Sequence, residues 1–115
     1  MAINEDWIST KIYTIRKQRV MLDRDLAELY GVKSIRLREQ VKRNKERFPV
    51  EFMFQLDDSE VGWLVSQNAI PSKKHLGGHL PFAFTEHGLL QLANVLRSSK
   101  AVEVSIELIR VFVDI

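Results

Sequence analysis

The stretch LAELYGVKSIRLREQVKRN, Leu26 to Asn44, decides how this chain is read. An apolar helical turn runs into Gly31, and a segment crowded with Lys and Arg follows. Leu26, Leu29 and Tyr30 recur at helical spacing, Asp23 stands where an N-cap is expected, and Gly31 supplies the stop. A second helix is predicted from Ser34, itself a cap residue, to Arg47 or Phe48, because Pro49 disfavours helical geometry at the residue before it. Two helices joined by a glycine turn, with Ala27 at the crossing and Leu37 facing the first helix, make a helix-turn-helix-like pair. The fit is incomplete, since the usual later apolar position falls at Gln40 and Val41 lies one residue on.

From Lys33 to Arg47, seven basic residues (Lys33, Arg36, Arg38, Lys42, Arg43, Lys45 and Arg47) stand against two acids, Glu39 and Glu46. The whole chain carries a net charge of only +2, so this clustering says more than the total. At about 100° per residue, Leu37, Val41, Asn44 and Phe48 share the core side of the second helix. Arg36, Arg43 and Arg47, with Gln40, form one flanking ridge. Arg38, Lys42 and Lys45 form the other, and Ile35, Glu39 and Glu46 lie opposite the core. A helix seated in a major groove offers its outer face to base edges and its flanks to phosphates. Ser34 and Gln40 are candidates for base contacts, and Glu39 is able to accept from a cytosine amino group. The competing reading is a solvated surface helix, in which Glu39 pairs with Arg43 at i,i+4 and the basic stems cover the core edge.

The rest of the chain predicts a small α+β single domain with short antiparallel strands, the helical pair and two C-terminal helices. KIYTIRKQRVML reads as two strands with a tight turn near Lys17 and Gln18, a hairpin with a basic tip. VEFMFQL alternates Phe52, Phe54 and Leu56 as a half-buried strand. DDSEVGWLVSQ reads as a short helix capped by Asp57 or Asp58, with Trp63 and Leu64 in the core. NAIPSKKHLGGHLP is expected to be a mobile loop, FAF a strand, and Thr85 with Glu86 the start of a helix to about Leu96. A last helix restarts at SSK and reaches the end of the chain. On it Glu103, Glu107, Arg110 and Asp114 form one polar stripe and apolar residues fill almost everything else. Such a helix belongs in a sandwich, in a subunit interface, or in a domain cut from a longer protein, and a homo-oligomer through it is expected. Trp7 is expected across the sheet or against a second subunit.

The 115 residues suit one domain, and the 45% apolar and 28% charged composition is that of a globular chain. The absence of cysteine excludes a disulfide framework and thiolate metal sites, and fits a reducing, cytoplasmic setting. No apolar run approaches a membrane span, and MAINEDWIST has acids where a signal peptide has basic residues. Neither a catalytic site nor a cofactor is expected. His75, His79 and His87 lack a completing ligand for a metal. Asp23, Asp25 and Glu28, which a nuclease could use to hold magnesium, are explained by capping and the helix dipole.

Three ordered blocks, RVMLDRDLAELYGV, LREQVKRNKERFPVEFMFQL and LPFAFTEHG, resemble the phage open-reading-frame-six N-terminal domain, a relative of the KilA-N DNA-binding superfamily. The resemblance covers roughly Ile12 to the C-terminus. It implies a small α+β module of phages and prophages, placed at the N-terminus of longer proteins, that binds duplex DNA in transcription regulation without a small-molecule substrate. Carried over by position, the implied DNA-facing segment is Lys33 through Arg47, with Arg16, Lys17 and Arg19 as a second contact. The chain departs from the family pattern at Lys17, Arg38 and His87, where glycine, asparagine and glutamine are common.

Overall fold

The computed structural model describes residues 5–114. Met1 to Asn4, the start of the MAINEDWIST stretch, and Ile115, read as the end of the last helix, lie outside the described residues. A four-stranded antiparallel sheet in the order β1-β2-β4-β3 forms the middle layer. Its strands are β1 (Tyr13–Ile15), β2 (Gln18–Leu22), β3 (Met53–Gln55) and β4 (Phe82–Phe84). Side chains alternate across it, because successive residues of a strand face opposite sides. Met21 and Phe84, opposite each other in the ladder, enter one apolar cluster, while Val20, Leu22 and Ala83 enter another.

The first cluster is large and packs five helices: α1 (Glu5–Thr10), α2 (Asp23–Tyr30), α3 (Ser34–Arg43), α5 (Glu86–Leu96) and α6 (Ser99–Asp114). The second joins the sheet to α4 (Asp58–Ser66) and to Ile70. The α+β architecture with two C-terminal helices is as predicted.

Several local expectations needed correction. Residues 5–10, to which the sequence reading assigned no element, form α1, with Ile8 fully buried. The hairpin turn is Arg16-Lys17, one residue earlier than read, with Ile15 paired to Gln18 and both turn residues at positive φ. That is the primed turn whose twist suits a two-residue hairpin, although glycine or asparagine adopts it with less strain. Asp23 and Ser34 are first helical residues, and the cap positions are Leu22 and Lys33. The basic helix stops at Arg43, where the Asn44 side chain turns back to donate to the Gln40 carbonyl; a 3₁₀ turn, Lys45–Arg47, follows. Trp63 is 44% exposed, because Val61 and Leu64 supply the buried face of α4. Trp7 is half-buried against the large cluster, with Lys11 over its ring.

The loop before β4 is anchored. It holds a 3₁₀ turn, Lys73–Leu76, and buries Ile70 completely. Lys73 pairs with Asp58, and the His75 imidazole lies 3.1 Å from the Arg24 guanidinium.

The FTEHG motif locks the sheet to α5. The Thr85 hydroxyl donates to the Glu51 carbonyl at 2.9 Å and caps α5 by accepting from the Gly88 amide. The Thr85 amide donates to the Phe52 carbonyl. A Cβ on Gly88 would lie 2.1 Å from that same carbonyl oxygen, so the close approach requires glycine.

Candidate nucleic-acid interface

The helical pair forms as the spacing predicts. Gly31 ends α2 at φ +71, and the Val32 amide closes back on the Ala27 carbonyl at 2.9 Å. Ala27, Leu37 and Val41 are buried, so α3 is held by its apolar side. Val41 does the work expected one position earlier.

This leaves α3 as a ridge between two grooves. On one side Arg36 and Gln40, with Val32 and Lys33, face Leu96 at the end of α5. On the other, Ile35, Arg38, Glu39 and Lys42 face Gln55, His79, Leu80 and Phe82. Lys33, Arg36, Lys42, Arg43, Lys45 and Arg47 are exposed, and none is ion-paired among the described residues. The Glu39–Arg43 pair of the competing reading is not formed. Because α3 ends at Arg43, the two ridges hold over Arg36–Arg43 and Arg38–Lys42, and the 3₁₀ turn redirects Lys45 and Arg47.

The other candidates are placed differently. Arg38 is half-buried, its guanidinium 3.7 Å from the buried Asp23 carboxylate. Ser34 and Gln40 are half-buried on the flanks, while Ile35, 54% exposed, and Glu39 occupy the outward face. In the hairpin, Arg16 forks onto Glu60 with contacts of 2.8 and 2.9 Å and lies 4.3 Å over the Phe54 ring. Arg19 donates to the Phe112 carbonyl near the end of α6. Lys17 stands exposed at the tip without an ion-pair partner among the described residues. The hairpin arginines therefore tie the sheet to α4 and α6.

Sequence reasoning missed a polar cleft of ≈ 510 Å³ beside α3, lined by Lys11, Arg24, Asp25, Arg38, His75 and His79 among others. Asp23 and Asp25 are buried there, so capping alone does not account for them. Burial pushes the Asp25 carboxyl up to about 6, while Lys11 and Arg24 pull it down. Burial also raises Asp23, opposed by backbone donors and by Arg38. The signal was the charged run DRD directly before an apolar helical pattern. Among the described residues no group of three or more His, Asp or Glu is arranged to hold a metal.

A family model described as the ORF6N domain matches residues 10–95, about three quarters of the chain. The chain belongs to the ORF6N domain family. ORF6N is a phage- and prophage-associated domain, and the match takes in the hairpin, the α2–α3 pair, the sheet and α4, and runs into α5 as far as Val95. It stops short of α6, so the family region is narrower than the resemblance read from the sequence, which ran to the C-terminus. No curated protein and no solved structure matches the chain. Among the described residues, no helix of this ORF6N domain is long and apolar enough to cross a membrane.

Proposed function

We propose that this ORF6N domain is a non-catalytic module that binds duplex DNA in phage or prophage regulation, within the cytoplasm, by laying α3 along the major groove. The observation that carries this is the set of six exposed cations on α3, its N-cap and its following turn, unpaired among the described residues, on a ridge with a groove along each side. Unpaired cations bind phosphates without first breaking an internal ion pair, and they release counterions from the duplex. Arg36 and Arg43 serve one strand's phosphates and Lys42 the other's, with Lys33, Lys45 and Arg47 extending the contact. Lys17 is the hairpin cation without an ion-pair partner among the described residues. Ile35 and Glu39 face the groove floor, where an apolar side chain meets a thymine methyl and a carboxylate accepts from cytosine.

The test is a titration of ¹⁵N-labelled protein with a duplex of mixed sequence. Amide shifts concentrated over 33–47 support the reading. Shifts concentrated on α4, or none at low salt, overturn it.

A second reading is favoured by a separate observation. Along α6, Val102, Ile106 and Val113 stay 48%, 46% and 67% exposed, although the opposite side of the helix is built into the core. An apolar stripe on a rigidly held helix is an association surface. The domain is then a protein-interaction or oligomerisation module, which is compatible with DNA binding because dimers place two helices on one duplex.

A further inference from the structure

Val102, Ile106, Ile109 and Val113 follow one another at intervals of four, three and four residues. That is the spacing of a two-helix seam, and it runs about 16 Å along the outside of α6 at 1.5 Å per residue. Three of the four are among the eight exposed large apolar side chains of the described residues, and Ile109 is half-buried beneath them. The platform is rigid. Ala101, Val104, Leu108, Val111 and Phe112 are buried, Tyr30 and Ser105 share a buried 2.6 Å hydrogen bond, and Arg19 holds the Phe112 carbonyl.

We infer that this seam pairs with the same seam of a second copy, antiparallel, about a two-fold axis passing between Glu107 and Leu108. Resting on the association reading above, this names the partner and the register. Reversing the stripe about that axis sets Val102 against Val113 and Ile106 against Ile109, so apolar meets apolar at every layer. The same reversal brings Glu103 of one copy alongside Arg110 of the other, twice, on the flank that faces solvent. A parallel pairing would leave these charges unmatched, because it sets each residue beside its own counterpart. Glu103 and Arg110 are both exposed, and Arg110 already carries a 2.8 Å pair with Glu107, so its five-donor guanidinium spans both acids. Self-complementarity of apolar layers and of charge under one rotation is what an isologous interface requires. The seam is small beside the roughly 800 Å² per partner of a standard interface, so the dimer is weak, with a dissociation constant on the order of 100 µM.

Sedimentation equilibrium of the full chain up to about 1 mM tests this, with circular dichroism checking the fold of each variant. The wild type is expected to dimerise and Ile106→Arg to stay monomeric. Glu103→Arg and Arg110→Glu are each expected to weaken the dimer about tenfold by setting like charges together, and the double exchange to recover it to within about threefold. A wild type that remains monomeric, or a dimer indifferent to Ile106→Arg, overturns the inference together with the association reading. Loss in Ile106→Arg without recovery in the double exchange overturns the antiparallel register and leaves association through α6 standing.

Discussion

At the scale of single residues, the sharpest constraints sit where backbone and side chain approach too closely for substitution. Gly88 faces the Phe52 carbonyl with no room for a methyl group. Gly88→Ala is therefore expected to cost about 2–3 kcal/mol, read as a lower denaturation midpoint in urea, because backbone on both sides must give way. Asp25 is a different kind of constraint. Its pKa of about 6 lies above the ordinary 3.8, so the folded chain holds more protons than the unfolded one between those values. Stability consequently falls as pH rises through that window, and the buried carboxylate costs on the order of 3 kcal/mol at neutral pH. Asp25→Asn should raise the melting temperature at pH 7.5 and leave it nearly unchanged at pH 4, where the native carboxyl is already protonated. A variant that melts lower at pH 7.5 would show that Lys11 and Arg24 need the charge more than burial penalises it.

At the scale of elements, legibility tracked the distance over which each signal acts. The hairpin, the Gly31 turn, the Asp57 cap of α4 and the Thr85 cap of α5 were readable, since each rests on a few neighbouring residues. α1 was missed because its two anchoring apolar residues, Trp7 and Ile8, are adjacent in a polar run and show no helical spacing. The early end of α3 depended on an Asn44 side chain closing on Gln40, a choice that helical periodicity does not reveal. The basic candidates needed the fold to be sorted. Arg16 meets Glu60 across 44 residues of sequence and Arg19 meets Phe112 across 93, so charge alone could not separate them from the free cations of α3. The sorting has a measurable consequence. Arg16→Ala should lower the melting temperature slightly and change DNA affinity little, whereas Arg36→Ala should weaken DNA binding severalfold with an unchanged melting curve. The reverse pattern would return the interface to the hairpin.

At the scale of the whole molecule, the sheet separates two jobs. One face, closed by α4 and the anchored loop, completes a small core, and the other carries the helices that put α3 and α6 on the surface. The ORF6N match spans the hairpin, the sheet and α3, while the α6 seam lies beyond Val95. The proposed DNA contact and the proposed pairing of copies draw on separate parts of the chain, so changes in one should leave the other intact.

The most direct test of the central claim is fluorescence anisotropy of a labelled duplex over a salt series, comparing the native chain with a folded Arg36/Lys42/Arg43→Ala variant. Six phosphate contacts predict that log K falls with log salt at a slope of about −5, and removing three of them should bring the slope to about −3. Binding that is absent at low salt, or a slope that the variant leaves unchanged, would contradict the assignment of α3 as the DNA-binding element.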